Sequence, residues 1–427
     1  MSLQISPSAP PTIVERFDPF SAEYLADPYP TLRELRQTTR AFYSSALDHW
    51  VVTNYADVRH VLKTTSSFSA LNSLQPLTEL CPHAASLLKQ GGYAATPALT
   101  NLDPPGHARQ RRLANAAFTP KRIAALEPFV RDLARRFLDE HFRNGSADVV
   151  ADLAWAFPAL VLFQVLGLPE SDLERVKRGA RHRGTVIYGR PSEDEQVEAA
   201  SELASFWRYA AALVEARTES PGDDFVSVLT QAGEADGDAL SREETVSIML
   251  QMLFAGHETT TKLMANSFRR LLEDRASWEA ICRDPDLIPN AIEEVLRFDG
   301  SVIAWRHKTK EPVEIGEARL PKDAKLLLLI GSVNGDPAVF PDPDRFDIRR
   351  PNAREHLSFG AGVHNCLGAP LARLEARIVL EEVSRRLPSL RLAKHAEFKF
   401  PPSISMRGPH SLPVAWCGER RIVQSLA

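Results

Sequence analysis

The ten-residue stretch Phe359-Gly360-Ala361-Gly362-Val363-His364-Asn365-Cys366-Leu367-Gly368 decides how the rest of this sequence is interpreted. Its first two glycines allow a tight loop, since glycine adopts backbone conformations that other residues avoid. Cys366 comes shortly before Pro370, and proline is favoured in the first turn of a helix. The free amide groups and the dipole of such a helix favour a thiolate at Cys366. A thiolate held in this way is a suitable axial ligand for heme iron.

This segment resembles the cysteine-ligand loop of the cytochrome P450 superfamily, and the resemblance extends from about Phe17 to Trp416. It implies a mainly α fold with a minor β part, in which a long central helix passes over a heme. The implied cofactor is heme b (iron protoporphyrin IX), with Cys366 as the axial ligand of the iron. Phe359, Gly360 and Gly368 are the implied neighbours of the heme in this loop.

Composition is that of an ordinary globular protein. The chain has 427 residues, of which 44% are hydrophobic and 25% are charged, with a net charge of −4. This charge excludes a strongly basic nucleic-acid binder as the default interpretation. No stretch approaches the ~18 uncharged apolar residues that span a bilayer, and the first residues lack the pattern of a signal peptide. We therefore expect a cytoplasmic protein that binds neither nucleic acid nor membrane.

Domain organisation is predicted to be simple. Pro7, Pro10 and Pro11 indicate a flexible N-terminal arm over residues 1–15. No repeat, low-complexity segment or linker divides residues 16–427, which we predict to form a single domain. Four cysteines lie far apart without the spacing of zinc ligands, and we expect free thiols; they are Cys81, Cys282, Cys366 and Cys417.

Helical patterns dominate the chain. Apolar residues at three- and four-residue spacing predict helices over 121–142, 197–217, 241–274 and 369–387. The third of these begins with the capping-box pair Ser241 and Glu244, and its apolar centre, 248–255, predicts burial on all sides. Fewer segments have the pattern of strands or of a small hairpin, namely 50–53, 313–315 and 326–330. Residues 336–354 are predicted to form an ordered loop.

A Glu-x-x-Arg pair, Glu294 and Arg297, lies on one face of a predicted helix. On spacing alone it would be an exposed ion pair worth ~0.3 kcal/mol. The resemblance implies instead a buried structural pair that fixes the cysteine loop. Either Arg345 or Arg350 completes this group, and the sequence leaves both open.

The middle of the longest predicted helix contains Ala255-Gly256-His257-Glu258-Thr259-Thr260-Thr261. Glycine and β-branched hydroxyl residues are poor helix formers, and such local conflict is typical of functional sites. A carboxylate beside a hydroxyl can pass protons through water. The resemblance implies that Glu258 and Thr259 are the acid–alcohol pair that supports oxygen activation.

Basic residues elsewhere match the positions that hold the heme propionates in the family. His107 and Arg111 lie four residues apart, so a helix would place both on one face. Two donors on one face can clamp an anionic group. The resemblance adds Arg306 and His364 to this set.

The resemblance implies a heme-thiolate monooxygenase that inserts one oxygen atom from O2 into a small hydrophobic substrate, with hydroxylation and O-dealkylation as candidate reactions. An aromatic substrate is one candidate, because the implied pocket positions are mostly apolar. Those positions are Leu253, Phe254, His257, Val302, Ile303 and Ile404. The chain also looks similar to the heme domains of self-sufficient bacterial enzymes, and because it stops at Ala427 we expect a stand-alone relative.

Electrons are expected to come from a separate ferredoxin and its reductase, because neither a dinucleotide-binding nor a P-loop motif is present. A basic patch could dock an acidic partner, with a solvated helix face as the alternative; it consists of Arg109, Arg112, Lys121 and Arg122. Two rival functions remain open, a peroxide-driven heme enzyme and a non-catalytic heme sensor. In the family, dedicated peroxide users replace the acid–alcohol pair, which this chain retains. A thiol hydrolase built on Cys366 and His364 lacks the general-base context that it would need.

Overall fold

The structure, a computed structural model, describes residues 12–116, 118–232 and 238–417. Helices account for most of these residues, and the prediction of a mainly α fold with a minor β part is confirmed. The helices are α1 (Ile13–Arg16), α2 (Ala22–Ala26), α3 (Tyr29–Thr38), α4 (Tyr55–Lys63), α5 (Pro82–Gln90), α6 (Gly106–Asn115), α7 (Pro120–Ala125), α8 (Glu127–His141), α9 (Phe157–Leu166), α10 (Leu173–Tyr188), α11 (Glu193–Glu219), α12 (Phe225–Gln231), α13 (Arg242–Glu273), α14 (Arg275–Arg283), α15 (Ile288–Asp299), α16 (Ile330–Val333) and α17 (Ala369–Arg386). The strands are β1 (Ala41–Ser44), β2 (His49–Val52), β3 (Phe68–Ser69), β4 (Ser146–Asp148), β5 (Trp305–Thr309), β6 (Val313–Ile315), β7 (Ala318–Leu320), β8 (Lys325–Leu328), β9 (Arg391–Leu392) and β10 (Pro413–Ala415).

Helix α13 is the central element, with 32 residues and a length of about 48 Å at ~1.5 Å per residue. Its predicted capping box is present, since the Glu244 amide donates to Ser241 Oγ at 3.2 Å and the Ser241 amide donates to the Glu244 carboxylate at 2.9 Å. Side chains of α13 join those of α8, α9, α11, α15 and α17 in one large apolar core. The predicted burial on all sides fails at Ala255, which faces a cavity.

The helix predicted over 121–142 is wrong in one respect, because it is two helices, α7 and α8, that meet at Leu126. Pro128 explains the break: it has no N–H to donate to the carbonyl of Ala124, and its ring crowds that carbonyl. The helices predicted over 197–217 and 369–387 are confirmed as parts of α11 and α17.

The strands form three small sheets. Five strands pair in the order β1-β2-β8-β5-β3, three in the order β4-β10-β9, and β6 pairs with β7 as a separate hairpin. The strand predicted at residues 50–53 is β2, which runs parallel to β8. Only the first part of 326–330 is a strand, because the chain turns into α16 at Ile330. The loop predicted over 336–354 is confirmed up to residue 352, and its last two residues begin a short 3-10 turn, Ala353–Glu355.

The predicted flexible arm, residues 1–15, lies mostly outside the described residues. From Thr12 onward the chain is described, and Ile13–Arg16 form one helical turn with Ile13 buried. Within the described ranges, every helix is too short or too polar to cross a membrane.

Candidate active site

A cavity lies between the middle of α13 and the cysteine loop. On one side it is lined by Phe254, Ala255 and Thr259, and on the other by Phe359 and Cys366. Helix α6, strand β5 and the end of α10 supply further walls. Most of the lining is apolar, and its polar side chains carry hydroxyls, imidazoles, one amide, one indole, one guanidinium and one thiol.

The cysteine loop has the tight backbone that its glycines predict. Gly360 and Gly362 adopt φ angles of +70° and +71°, which favour glycine. A Cβ at Gly362 would also lie 2.7 Å from the carbonyl oxygen of Leu62 at the end of α4. The Cys366 amide donates to the Phe359 carbonyl at 2.9 Å, which closes the loop. The loop therefore fits against α4 only with glycine at position 362.

The Cys366 thiol opens onto the cavity. Burial among protein atoms raises the pKa of this thiol, while the amides of Gly368 and Ala369 and the charge of Arg111 act to lower it. The helix amides thus lower the pKa of the thiol, as the sequence predicts. Burial has the larger effect and raises it. A metal ion that binds a cysteine deprotonates it outright, so the thiolate state is expected in the metal complex.

A buried ion cluster fixes the segment that precedes the cysteine loop. Arg297 makes two hydrogen bonds of 2.7 Å to the Glu294 carboxylate, and Arg350 Nε lies 3.1–3.2 Å from the same two oxygens. All three side chains are almost completely buried. The structure therefore identifies Arg350 as the third member, whereas Arg345 is exposed and contributes only its backbone carbonyl.

A second buried carboxylate links α15, the cysteine loop and α17. Glu293 accepts hydrogen bonds of 2.7 and 2.9 Å from Arg373 and lies 3.1 Å from His356 Nε2. The guanidinium of Arg373 lies over the Phe359 ring, 4.6 Å from its centroid. Burial alone would raise the pKa of Glu293. The hydrogen bonds and charges of His356 and Arg373 outweigh burial and lower the pKa to about 2. The elements on both sides of Cys366 are thus held by ionised groups.

Helix α6 brings His107 and Arg111 to the cavity, as their spacing predicts. His364, from the cysteine loop, lies beside them, with its ring centroid 4.1 Å from that of His107. Burial lowers the pKa of both imidazoles to about 4, so each is neutral at pH 7 and retains one N–H donor. Both ring nitrogens of His364 are buried, and neither makes a hydrogen bond within 3.5 Å to the described residues, although the nearby Leu99 backbone acts to raise the pKa of the ring.

Arg306, in contrast, does not reach this cavity. Its Nη2 donates to three backbone carbonyls, those of Ser73, Gln75 and Ile187. The next residue of β5, His307, lines the cavity instead. Adjacent side chains of a strand point to opposite faces, and this alternation is the signal in the sequence that would have identified His307. The structure therefore places His307, and not Arg306, in the cavity wall, and a contact of His307 with a propionate is a proposal.

The acid–alcohol pair is divided between two environments. Thr259 lines the cavity, and its Oγ1 donates to the Ala255 carbonyl at 3.1 Å. Glu258 faces away from the cavity and accepts hydrogen bonds from Lys177 at 3.2 Å and from Lys262 at 3.0 Å. His257 Nε2 lies 3.4 Å from the same carboxylate. Only the alcohol of the pair is therefore in the cavity wall.

The charge on Glu258 is strongly favoured. Burial alone would raise its pKa, but Lys262, His257 and Lys177 together hold the pKa well below its usual range. Lys177 is itself buried, and burial lowers its pKa while Glu258 raises it. The carboxylate is therefore ionised at neutral pH and linked to α10 through Lys177.

Of the predicted pocket residues, Phe254 and Val302 line the cavity, whereas Leu253, His257, Ile303 and Ile404 do not. The cause is side-chain direction. Leu253 and His257, four residues apart, share the face of α13 that is turned away from the cavity. The neighbours Val302 and Ile303 point to opposite sides. The wall also includes residues on the cavity face of α13 and on neighbouring segments that were not predicted, among them Leu74, Tyr188, Gln251, Trp305 and Met406.

The predicted basic patch on α6 and α7 is largely neutralised. Arg109 is paired with Glu244, Arg112 with Asp238, and Arg122 with Asp223. Lys121 alone of the four has no carboxylate within 4.0 Å among the described residues. Paired charges attract a partner weakly, so this arrangement argues against the patch as a docking surface.

The residues of the cavity fit a heme. A cysteine thiol faces the cavity from one side and a hydroxyl-bearing helix from the other, so Cys366 would hold the iron of a heme and Thr259 would face the substrate. The donors that anionic propionates require would come from His107, Arg111, His307 and His364. The unpartnered ring nitrogens of His364 are the observation that carries this conclusion, because buried polar groups without partners are rare.

Comparison with known proteins gives a consistent result. The family model described as Cytochrome P450 matches residues 203–388. The chain is 34% identical to the cytochrome P450 monooxygenase PikC of Streptomyces venezuelae, over 92% of each chain. It is also 34% identical to the mycinamicin IV hydroxylase/epoxidase of Micromonospora griseorubida, over 92% of this chain and 96% of the relative.

Solved structures extend the comparison. Cytochrome P450 CREJ in complex with (4-ethylphenyl) dihydrogen phosphate superposes with a TM-score of 0.91 at 37% identity, covering 95% of this chain and 100% of that chain. Full-length CYP116B46 from Tepidiphilus thermophilus gives a TM-score of 0.92 at 37% identity, covering 95% of this chain and 54% of that chain. The match to CYP116B46 thus accounts for about half of that protein.

Proposed function

This chain belongs to the cytochrome P450 family, and from that premise we propose that it oxidises a small hydrophobic, aromatic substrate with electrons from a separate ferredoxin and reductase. The family resemblance noted in the sequence, the P450 fold and the assignment as a monooxygenase are confirmed. The family carries protoporphyrin IX bound through a cysteine thiolate, so heme b is the cofactor. Hydroxylation and O-dealkylation are the proposed reactions.

One observation carries the proposal: an apolar cavity lies between the Cys366 thiol and the Thr259 hydroxyl. Cys366 would hold the iron, and His107, Arg111, His307 and His364 would hold the propionates. When bound, the heme supplies the activation of O2 and the oxidation of a C–H bond. The aromatic rings of the wall favour an aromatic substrate, and a neighbour crystallised with a 4-ethylphenyl ester supports the same class.

The protein's own part in the reaction is proton supply and exclusion of water. Thr259 Oγ1, at the cavity surface, can hold a water molecule or donate a proton beside the substrate. Glu258 is ionised and held by Lys177 and Lys262, so it would take a proton from the solvent side and pass it inward only after releasing one of these lysines. The division of the pair therefore supports a relay in which the carboxylate lies outside and the hydroxyl inside.

The proposed function is tested with the purified protein in two steps. A strongly red-shifted Soret band after reduction and addition of carbon monoxide would support thiolate ligation. NADH oxidation coupled to product formation, with ferredoxin and reductase added, would support the monooxygenase. Product formation with hydrogen peroxide alone would favour the peroxide-driven rival, and ligand binding without turnover would favour the sensor.

Removal of the inner hydroxyl is expected to uncouple the reaction. In Thr259→Ala, product formation should fall about 10- to 100-fold while NADH oxidation continues, because the hydroxyl that donates a proton at the cavity surface is removed. The matched control is Thr261→Ala, whose hydroxyl donates to the Ala154 carbonyl outside the cavity. That control should lose stability but keep its coupling. Equal coupling in Thr259→Ala and wild type would refute the relay.

A groove beside the cysteine loop is the proposed site for the electron donor. It is lined by Arg59, Lys63, Arg354 and Arg373, with Glu355 as the opposing charge. Arg59 and Lys63 have no carboxylate within 4.0 Å among the described residues, unlike most of the basic patch on α6 and α7. An excess of unpaired positive charge favours an acidic partner.

Charge reversal should distinguish the two surfaces. Lys63→Glu is expected to slow reduction by an acidic ferredoxin about 3- to 10-fold at low salt, with a smaller effect at high salt. Arg112→Glu, on the paired surface, should leave the rate unchanged. Stopped-flow reduction kinetics provide the measurement, and the opposite ranking of the two variants would move the docking site back to α6.

A further inference from the structure

Six arginine side chains are almost completely buried in the described part of the chain, and two of them have no carboxylate partner. Arg269 and Arg407 pair with Asp299, and Arg297 and Arg350 pair with Glu294; these are the four paired cases. Arg183 and Arg306 are 6% and 4% exposed, and neither lies within 4.0 Å of a carboxylate oxygen in the described chain. Because an isolated buried charge is costly, these two positions call for a different explanation.

Both unpaired guanidiniums act on one side chain of the cavity wall, Tyr188. Burial raises the pKa of the Tyr188 phenol, and Arg306 and Arg183 are the charges that oppose this rise. The Tyr188 hydroxyl is buried and has no hydrogen-bond partner among the residues that the structure describes. It belongs to a residue that lines the cavity. The Tyr188 hydroxyl is therefore a free donor in the cavity wall, and the two unpaired positive charges lie behind that wall, since neither arginine lines the cavity.

Arg183 is available for a further partner. Its Nη1 donates to the Tyr93 hydroxyl at 3.1 Å, but its Nε is buried and has no partner in the described ranges. The guanidinium carbon lies 5.8 Å from the centroid of the Phe254 ring, which lines the cavity. Arg306 is held more firmly, by three carbonyls, and acts through its charge.

The rings next to these charges form an aromatic wall. Tyr188 stacks on Phe254 with centroids 6.2 Å apart, and its ring lies 6.1 Å from that of Trp305. Among the described residues, none of the side chains that line the cavity is an Asp or Glu. This wall would pack against an aromatic ring of the substrate. The positive charges of Arg183 and Arg306 behind the wall have no carboxylate partner among the described residues.

We propose that the substrate carries an anionic oxyacid group, a carboxylate or a phosphate, which binds at Arg183 and the Tyr188 hydroxyl in the field of Arg306. This inference rests on the proposed function and narrows its substrate class from aromatic compounds to aromatic acids or aryl phosphates. Guanidinium groups bind both oxyacids well because their planar donors match the geometry of the anion. The anion would supply the negative charge that no described carboxylate provides to these two arginines.

The test compares ligands of one shape and different charge, bound to the holoenzyme. The probes are 4-ethylphenol, 4-ethylbenzoate and 4-ethylphenyl phosphate, and Kd is measured by calorimetry and by the spin-state shift of the heme. At least one of the two anions is expected to bind tenfold or more tightly than the phenol at a pH where the phenol is neutral. The preferred anion then identifies the oxyacid.

Two variants assign the effect to this end of the cavity. Arg183→Gln should weaken the preferred anion about 10- to 100-fold and change the Kd of 4-ethylphenol less than twofold. Tyr188→Phe, which removes only an unpartnered hydroxyl, should have a smaller effect in the same direction. Arg181→Gln, on the exposed side of the same helix, is the matched control and should have no effect.

The inference is overturned if the phenol binds as tightly as both anions, or if Arg183→Gln weakens all three probes equally. Either result with a normal thiolate spectrum leaves the monooxygenase assignment intact. A missing thiolate spectrum would instead contradict the proposed function, whatever preference calorimetry records.

Discussion

Replacement of Cys366 by alanine is expected to abolish both the red-shifted Soret band of the reduced carbon monoxide complex and all substrate oxidation above the background of free heme. The reason is geometric, because Cys366 is the only thiol among the side chains that line the cavity. The loop itself should survive, since its closure depends on the Cys366 amide and on Gly360, not on the sulfur.

A matched control is available in Cys282→Ala. This thiol is half-buried in α14, away from the cavity, and burial raises its pKa to about 11. The variant should keep the wild-type spectrum and turnover. Absorption spectra and product analysis on both variants decide the matter. A thiolate-type band retained in Cys366→Ala would mean that another residue binds the iron.

Glu294→Gln is expected to lower the free energy of unfolding by about 3–5 kcal/mol, the usual cost of removing one partner from a buried ion pair. Two guanidiniums, Arg297 and Arg350, would then be buried without the carboxylate that both contact. Arg297 also donates to the carbonyls of Asn334 and Pro343. Strain in this cluster should therefore reach the cysteine loop and speed the loss of heme.

The exposed pair between Glu314 and Arg319 provides the comparison. It has a similar contact distance of 3.1 Å, but its side chains are 69% and 87% exposed. Glu314→Gln should change the free energy of unfolding by less than about 0.5 kcal/mol. Urea denaturation of both variants measures the difference, provided that the m-value is unchanged. Equal effects would show that burial does not determine the contribution of the Glu294 cluster.

Local features of the sequence were sufficient for the elements that depend on neighbouring residues. The start of α13 follows from Ser241 and Glu244, and the turn of the cysteine loop follows from Gly360 and Gly362. The break before Pro128 is equally local. Because proline interrupts the hydrogen bonding of a helix interior, the sequence alone could have divided the predicted helix there.

Other features depend on how distant segments pack and could not be read from spacing. The choice of Arg350 over Arg345 depends on the path of a loop of irregular backbone, where no periodicity indicates side-chain direction. The positions of Tyr188 and Arg183 in relation to the cavity depend on how α10 packs beside α13. The orientation of Glu258 depends on Lys177, which lies 81 residues earlier. The direction of a side chain on a predicted strand lies between these two cases. The alternation of β5 places Arg306 and His307 on opposite faces, but distant packing decides which face meets the cavity.

The close approach of Gly362 to the Leu62 carbonyl has a consequence for the order of folding. The cysteine loop closes against a helix that precedes it by 300 residues in the chain, and the Tyr55 hydroxyl spans the same interval to the Glu355 carbonyl. Contacts of such long sequence separation form late, because closing a long loop costs entropy before any contact forms. During synthesis, the residues around Leu62 emerge first, and their contact with the cysteine loop forms only after residue 362 has been made. Capture of the cofactor is therefore expected to be a late step, completed only when both segments have met.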